Sequence, residues 1–381
     1  MTKRRFRLLA NIPIALGLTI PLAPAQQWTF LTDELPYARL GHSAVYNTGT
    51  NQMIVFGGNP YLPSGTLNDV WLLNNANGAA GTPSWVLEIP SGSVGAPPPR
   101  DGHVAVYDSA NDRMIVFGGC LSGCAPVAND TWVLINATGA GGTPTWQQLS
   151  PAGALPAQRT WPAAVYDQIN NRMIIFAGQN GSGDAGATLA DVWVLANANG
   201  LGGTPVWTQL SPAGGPPSGQ YAPTAVYDQA HNVMTVFGGD AQVTGKSTNA
   251  VWTLSNANGT GGTAVWTRIL PNGAAGSPPP RLFHTATYDP GSNRMTIYAG
   301  QDNGFDLGDV WVLQNANGMG GPATWVKLAV TASARRVPTI RDTHTAVYDP
   351  GTNRMIVFGG GLNTVDGLSF ATWVLTNANG L

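Results

Sequence analysis

The chain has 381 residues, of which 10% are charged, and its formal net charge is −2. A slightly negative net charge and a low content of charged residues argue against nucleic acid and against an anionic membrane surface as partners. A chain of this length usually divides into two or more domains. The repeat described below overrides that expectation.

Residues 1–25 have the composition of a secretory signal peptide. Four basic residues lie between positions 3 and 7, the apolar run Ile12–Leu22 follows, and Ala23–Ala25 is a small-x-small cleavage pattern. The run is too short to cross a bilayer. We therefore predict a secreted, periplasmic or cell-surface protein without a transmembrane anchor, and Arg4-Arg5 leaves the general and the twin-arginine export routes both open. Cleavage removes four positive charges and brings the net charge to −6.

From residue 26 to residue 381 one pattern of about 60 residues occurs six times. Its anchoring tyrosines are spaced 61, 59, 61, 61 and 60 residues apart, at Tyr46, Tyr107, Tyr166, Tyr227, Tyr288 and Tyr348. A fixed period of this length indicates supersecondary units that bury their faces on one another. We predict a single domain over residues 26–381.

Each repeat contains four short apolar runs separated by Asn, Asp, Gly and Pro. In the second repeat they are His103–Tyr107, Met114–Phe117, Thr131–Leu134 and Trp146–Leu149. Their length and their content of β-branched and aromatic residues predict strands, here named A, B, C and D in chain order. One repeat is therefore a four-stranded antiparallel meander.

Strand B has no polar alternation, as Met114–Phe117 shows, so both of its faces must be covered. Six sheets packed face to face in a closed ring would cover them and would also protect the sheet edges. The predicted fold is all-β, a six-bladed β-propeller.

Glycine pairs follow strand B. The second glycine is present in every repeat, whereas the first is replaced by Ala177 and Ala299 in two of them. We infer that the first position needs only a small side chain. The second position needs positive φ or a backbone contact that a Cβ atom would block.

Tryptophans indicate how the ring closes. Strands C carry Trp71, Trp132, Trp193, Trp252, Trp311 and Trp373, and strands D carry Trp28, Trp85, Trp146, Trp207, Trp266 and Trp325. The last repeat has no strand D of its own, while Trp28–Leu31 precedes the first strand A. We predict that Trp28–Leu31 is the outer strand of the sixth blade, and the alternative is a truncated chain whose next strand D is missing.

Three features together resemble the kelch repeat: Arg-x-x-His before strand A, Gly-Gly after strand B and tryptophan in strand D. The resemblance covers Trp28 to the C-terminus and implies a propeller, whereas one fold hosts many activities. Among enzymes the chain looks like the kelch domain of galactose oxidase, a family that uses copper and a cysteine crosslinked to a tyrosine. Kelch-type sialic acid mutarotases are a second enzymatic analogy.

The two cysteines, Cys120 and Cys124, lie in one loop. In an oxidising compartment they are predicted to form a local disulfide, which would leave no cysteine for the oxidase crosslink. Cys-x-x-x-Cys offers too few ligands for a metal site. We therefore predict no metal and no cofactor.

The two faces of the ring differ in sequence. The A–B links and the C–D links nearly repeat, and Arg113, Arg172, Arg294 and Arg354 recur in the former as scaffold residues. The D–A links are irregular and the B–C links differ in every repeat. The B–C links are Asn59–Leu67, Cys120–Asn129, Gln179–Ala190, Asp240–Asn249, Gln301–Gly308 and Gly361–Ala371. Binding usually lies in variable loops on a rigid scaffold, so a site is predicted on this face, with neutral drift of the loops as the alternative.

The residues that enter strand A are the candidate site. Arg39, Arg100, Arg159, Arg281 and Arg341 would ring the channel mouth and bind carboxylate, sulfate or sugar hydroxyls, or else bond to carbonyls of adjacent loops. Trp161, Tyr221 and Phe283 would stack on a sugar ring, or else fill gaps where histidine is absent.

Four histidines form an arc of blades five, six, one and two, at His284, His344, His42 and His103. A metal or acid–base site is one interpretation. The pleat of strand A favours the other, in which each histidine packs between blades with its nitrogens hydrogen-bonded.

We predict an exported, monomeric kelch-type module that binds a protein or a glycan through its variable loop face. No catalytic residue is assigned, and the alternative is a carbohydrate-active enzyme of the mutarotase or galactose-oxidase kind.

Overall fold

The computed structural model describes residues 25–33, 35–61, 65–121, 124, 126–181, 186–215, 217–241, 246–332, 337–362 and 367–381. The predicted signal peptide lies outside these residues except for Ala25, and so do parts of five of the six B–C links. None of the described residues is helical, so no helix among them could cross a membrane.

The strands are short and follow one another as predicted. Those of the first half of the chain are β1 (Gln27–Thr32), β2 (Ser43–Asn47), β3 (Gln52–Gly58), β4 (Leu67–Asn74), β5 (Ser84–Ile89), β6 (Arg100–Asp101), β7 (Val104–Asp108), β8 (Arg113–Leu121), β9 (Val127–Ile135), β10 (Thr145–Gln148), β11 (Ala163–Asp167), β12 (Arg172–Phe176), β13 (Gln179–Asn180), β14 (Ala187–Thr188), β15 (Val192–Ala196) and β16 (Val206–Leu210).

Those of the second half are β17 (Thr224–Asp228), β18 (Val233–Phe237), β19 (Asp240–Ala241), β20 (Lys246–Ser247), β21 (Val251–Ser255), β22 (Val265–Leu270), β23 (Thr285–Asp289), β24 (Arg294–Tyr298), β25 (Gln301–Asp302), β26 (Phe305–Asp306), β27 (Val310–Gln314), β28 (Thr324–Lys327), β29 (Thr331–Ala332), β30 (Thr345–Asp349), β31 (Arg354–Phe358) and β32 (Thr372–Thr376).

The principal strands form six antiparallel sheets, one for each repeat. In order from strand A to strand D, the blades are β2-β3-β4-β5, β7-β8-β9-β10, β11-β12-β15-β16, β17-β18-β21-β22, β23-β24-β27-β28 and β30-β31-β32-β1. Each strand A contacts the strand A of the next blade, and β30 contacts β2. The sheets therefore close into a ring, and the prediction of an all-β six-bladed propeller is confirmed.

The apolar core lies between the blades rather than within them. Six buried clusters occupy the six blade interfaces. Strand β3 shows why strand B is apolar throughout: Ile54 and Phe56 pack toward blade 2, whereas Met53 and Val55 pack toward blade 6. A single sheet could not cover both of these faces.

The N-terminal strand completes the sixth blade. β1 pairs antiparallel with β32, with Trp28 opposite Leu375 and Phe30 opposite Trp373. Trp28 is buried against Tyr298 of blade 5, with 4.9 Å between the ring centroids. The prediction that Trp28–Leu31 is the outer strand of blade 6 is confirmed.

Both positions of the glycine pair adopt positive φ, which refines the prediction. In blade 1, φ is +65° at Gly57 and +98° at Gly58. The first value lies in the left-handed region that alanine enters at some cost, as Ala177 does at +64°. At Gly58 a Cβ atom would lie 2.8 Å from the Cβ of His42 and from the carbonyl oxygen of Leu40. Only glycine fits there.

One face of the ring is held by side chains that bond from blade to blade. Asn199 of a C–D link donates to Asp108 in the A–B turn of the preceding blade at 2.6 Å, and Arg113 of that turn donates to the carbonyl of Asn199 at 2.8 Å. The same amide–carboxylate bond recurs as Asn77–Asp349, Asn258–Asp167, Asn317–Asp228 and Asn379–Asp289. We call this the structural face.

Candidate functional site

The opposite face surrounds the mouth of the central channel. The six strands A line the channel with residues such as Ser43, Ala164 and Thr285. Above them a depression of about 500 Å³ is lined by residues of blades 1, 3, 5 and 6, among them Leu40, Tyr61, Trp161, Phe283, Asp306 and Asp342. Because blades 3 and 6 lie opposite each other in the ring, this depression lies over the ring axis.

The residue just before each strand-A histidine or proline belongs to a collar around this mouth. The six collar residues are Gly41, Gly102, Trp161, Ala222, Phe283 and Thr343, and all adopt left-handed φ between +49° and +64°. Backbone N–H groups donate to the collar carbonyl of the preceding blade, from Gly102 to Gly41 at 2.9 Å and from Trp161 to Gly102 at 2.7 Å. Similar bonds join residues 41 to 343, 222 to 161 and 343 to 283. Five of the six collar residues are therefore joined to the preceding collar residue by a backbone hydrogen bond.

The structure brings the three predicted aromatic residues together at this mouth. The ring centroids of Trp161 and Phe283 lie 4.8 Å apart and those of Tyr221 and Phe283 lie 5.2 Å apart, both edge to face. The Trp161 indole lies over Gly102 and Gly41, where an added Cβ would meet it at 2.8 Å and 3.2 Å. The three half-buried rings form one aromatic cluster across the collar, and ring faces of this kind stack on sugars or on partner side chains.

Carboxyl groups flank the aromatic cluster. Burial raises the pKa of Asp101 to about 6, and a hydrogen bond from Asn59 lowers it slightly. Burial and the charge of Asp306 raise the pKa of Asp342 to about 6. Burial is the main cause that raises the pKa of Tyr221, and the negative charges of Asp101 and Asp342 raise it further. The mouth therefore combines aromatic rings with carboxyl groups that titrate near pH 6.

These carboxyl groups were missed in the sequence analysis, although a signal was present. Asp101 and Asp342 directly follow the strand-A arginine, where blades 1, 3, 4 and 5 have Leu40, Thr160, Tyr221 and Leu282. This position pairs with the residue after the glycine pair, as in the bridges of Tyr221 with Asp240 and of Asp342 with Gly361. This position is acidic in two blades and neutral in the other four, and that difference was the sequence signal for carboxyl groups at the mouth.

The predicted arginines do not face the mouth. Arg39, Arg100, Arg159, Arg281 and Arg341 are at most 1% exposed, and each donates to the carbonyl of the first residue of its own glycine pair. Four of them form ion pairs at 2.7–2.8 Å, with Asp69, Asp130, Asp191 and Asp309. This burial favours the second interpretation, in which the arginines bond to carbonyls of adjacent loops, over a guanidinium ring that faces a ligand at the mouth.

The four histidines lie between blades. Each is 4–5% exposed, and each Nε2 pairs with a hydroxyl of the preceding blade at 2.7–2.9 Å: His42 with Thr345, His103 with Ser43, His284 with Thr224 and His344 with Thr285. Burial, the largest cause, and nearby arginines lower the pKa of all four, that of His103 to about 3. The geometry favours interblade packing over acid–base chemistry. The expectation that both ring nitrogens are hydrogen-bonded holds only for Nε2, because each Nδ1 is buried without a hydrogen-bond partner among the described residues.

Copper chemistry of the galactose-oxidase kind does not fit the described residues. Cys120 and Cys124 are joined by a disulfide with an S–S distance of 2.03 Å, which leaves no thiol for a crosslink to tyrosine. In the described part of the chain, these two sulfurs and a carboxylate oxygen of Asp101 are the metal-ligand atoms that cluster within 4.8 Å. A sulfur bonded to sulfur supplies no thiolate ligand.

This chain is similar to one family model and to one curated protein. A family model described as the KLHDC2/KLHL20/DRC7 Kelch-repeats domain matches residues 24–140, 140–261 and 202–360. Multiple epidermal growth factor-like domains protein 8 of Mus musculus is 28% identical over 208 residues, which cover 53% of this chain and 6% of that protein. The chain thus corresponds to a small part of that relative.

Proposed function

Because the chain belongs to the kelch-repeat family, we propose that it is an exported interaction module that binds a partner protein through the mouth of its channel. The fold alone hosts many activities, so the proposal depends on the chemistry of the mouth. Export is proposed from the signal-like residues 1–25.

The aromatic cluster at the collar is the observation that carries the proposal. Tryptophan and tyrosine are enriched among the residues that dominate binding energy at protein interfaces. Here Trp161 and Tyr221 share one cluster with Phe283, and Tyr61, which is 69% exposed, lies at its rim. A depression of about 500 Å³ at this point accepts one or two side chains of a partner.

The charge of the mouth specifies the partner further. Asp101, Asp306 and Asp342 lie around the cluster, so a segment with lysine or arginine beside an apolar residue complements it. Cation–π contact with Trp161 or Phe283 adds to this preference. Binding should weaken when the pH falls below 6, because Asp101 and Asp342 then become neutral.

Affinity capture from the extracellular proteins of the source organism tests the proposal. The bait is the chain from residue 26 onward, and the test variant Trp161→Gly/Phe283→Gly introduces the residue that blades 1 and 2 already have at the collar. The matched control is Ile169→Ser, a 77% exposed apolar residue in the A–B turn of blade 3, on the structural face. Capture that is lost only in the collar variant supports the proposal. Capture that is unchanged in the collar variant contradicts it.

A carbohydrate-active enzyme is the second candidate, and the two carboxyl groups with raised pKa favour it. A pKa of about 6 suits a general acid or base near neutral pH, and aromatic rings beside Asp101 and Asp342 would hold a sugar. The test is the rate of anomerisation or hydrolysis of a panel of monosaccharides and oligosaccharides, compared between the parent chain and Asp101→Asn/Asp342→Asn. Rates equal to the uncatalysed reaction with every sugar remove this candidate.

A further inference from the structure

Four blades contain the same buried arrangement of arginine, aspartate and tryptophan. In blade 2, Arg100 donates two bonds to Asp130, at 2.7 and 2.9 Å, and the Nε1–H of Trp132 donates to the same carboxylate at 2.7 Å. Blades 1, 3 and 5 repeat it with Arg39, Asp69 and Trp71, with Arg159, Asp191 and Trp193, and with Arg281, Asp309 and Trp311. One carboxylate thus satisfies two buried donors.

Blade 4 lacks both charged members of this arrangement. Gln220 replaces the arginine and Ala250 replaces the aspartate, while Trp252 remains. Removing both members of a buried ion pair leaves no uncompensated charge and costs little. Blade 4 therefore shows the neutral form of the site within the same molecule.

Blade 6 has lost only the carboxylate. Arg341 is retained and 1% exposed, but Ala371 occupies the aspartate position. Its guanidinium bonds to the carbonyls of Thr339 and Gly359, at 3.0 and 2.8 Å, and reaches Ser369 Oγ only at 3.4 Å. The phenol of Tyr298 also lies beside it, but that group is neutral and supplies no counter-charge. A buried guanidinium stays charged and is expensive to leave without a counter-charge.

The second donor of blade 6 has lost its acceptor as well. Trp373 is 5% exposed, and its Nε1–H has no hydrogen-bond partner among the described residues. It holds the same place in strand C as the four tryptophans that donate to aspartate, because Trp373 pairs with Val357 just as Trp132 pairs with Val116. Blade 6 therefore keeps two buried donors that converge on one carboxylate in the other blades.

We propose that a small carboxylate anion binds between Arg341 and Trp373, in the space that an aspartate carboxylate fills in the other blades. The group that Ala371 lacks is one carboxylate, so formate has the size and the bidentate geometry of the missing part. The place is reachable from solvent, because the equivalent aspartate side chains are 8–22% exposed in blades 1, 2, 3 and 5. The site is separate from the collar and does not depend on the function proposed above.

Thermal unfolding in sodium formate, compared with sodium chloride at equal ionic strength and pH 7, tests the proposal. Formate should raise the unfolding midpoint of the parent chain by about 1–2 °C more than chloride does, since a ligand of the folded state stabilises it by mass action. Equal midpoints in the two salts would overturn the proposal.

Variants identify the site. Ala371→Asp should raise the midpoint without formate and abolish the formate response, because the carboxylate is then internal. Arg341→Gln, which copies blade 4, should abolish the response, and a response that persists there contradicts the proposal. Ala250→Asp is the matched control, since a carboxylate opposite Gln220 should bring no gain in stability.

Two further variants keep the test decisive. Asp130→Ala creates the same gap in blade 2, so it should lower the midpoint and acquire a formate response of its own. Asp366 lies outside the described residues and is the carboxyl nearest to Ala371 in sequence. Asp366→Asn should leave the formate response unchanged. If the response arises only after this substitution, the counter-charge is internal and the proposal is wrong.

Discussion

The two faces of the ring are joined by different atoms. On the structural face, side chains bond from blade to blade, as Asn199 does with Asp108 and Arg113 with the carbonyl of Asn199. At the mouth, backbone N–H groups and carbonyls of the collar residues form the corresponding bonds. A bond made by side chains fixes the residue type, whereas a bond made by the backbone leaves the side chain open to change. This difference explains why one face repeats its sequence and the other does not.

Breaking one of the buried arginine–aspartate pairs beneath the mouth should lower the stability the most. Asp69→Ala leaves the guanidinium of Arg39 buried without its carboxylate. We expect a loss of about 3–5 kcal/mol in the free energy of unfolding, measured by urea denaturation. The double variant Arg39→Gln/Asp69→Ala, which copies blade 4, should recover most of this loss. If the double variant is as unstable as the single one, the comparison between blades 4 and 6 loses its basis.

The structural face should be the more sensitive of the two to single side-chain deletions. Asn199→Ala removes the donor to Asp108 and the acceptor of a bond from Asn171 at 2.6 Å, both partly or fully buried. We expect a loss of about 2–3 kcal/mol, because buried polar groups remain without partners. The measurement is again urea denaturation, with exposed Asn303→Ala in a B–C link as the control. Equal losses in both variants would contradict the contrast between the faces.

Carboxyl groups at the mouth should give the protein a pH-dependent stability. The pKa of Asp101 in the folded protein is about 6, above its ordinary value of 3.8. The stability linked to this group is therefore complete below about pH 4 and is lost as the pH rises through 6. Asp101→Asn stays neutral, so at pH 8 it should be more stable than the parent by about 2–3 kcal/mol. Unfolding free energies measured from pH 4 to pH 8 should converge at the acidic end, and a constant difference would argue against this assignment.

The collar should tolerate a change of side chain with the smallest effect. Trp161 adopts φ of +53°, which glycine adopts without strain, and its backbone bond to Gly102 does not involve the indole. Trp161→Gly should change the free energy of unfolding by less than about 1 kcal/mol, since relief of strain offsets the lost aromatic contact. Partner capture should nevertheless fall. A loss of stability as large as that of Asn199→Ala would show that the indole supports the fold.

Much of the fold could be predicted because its determinants are periodic. The apolar strand B, the two rows of tryptophans and the unpaired Trp28–Leu31 define blade number and closure, and β1 pairs with β32 as predicted. The site was harder to predict because burial depends on three-dimensional neighbours. Arg39 and its equivalents belong to a repeated motif, but their aspartates lie 28–32 residues later and were not recognised as partners. The position of Asp101 and Asp342 at the channel mouth becomes evident only when the collar residues are located in the structure.

The pairing of β1 with β32 joins residues that are 349 positions apart in the sequence, since the N–H of Gln27 bonds to Thr376 Oγ1. Contacts of such high sequence separation pay their loop-closure entropy late, so this pairing should be among the last to form during folding. Until it forms, the edge of β32 is unpaired, and the β1 strand of a second copy can pair with it just as well. Concentrated refolding should therefore yield domain-swapped oligomers, whereas dilute refolding should favour the closed ring.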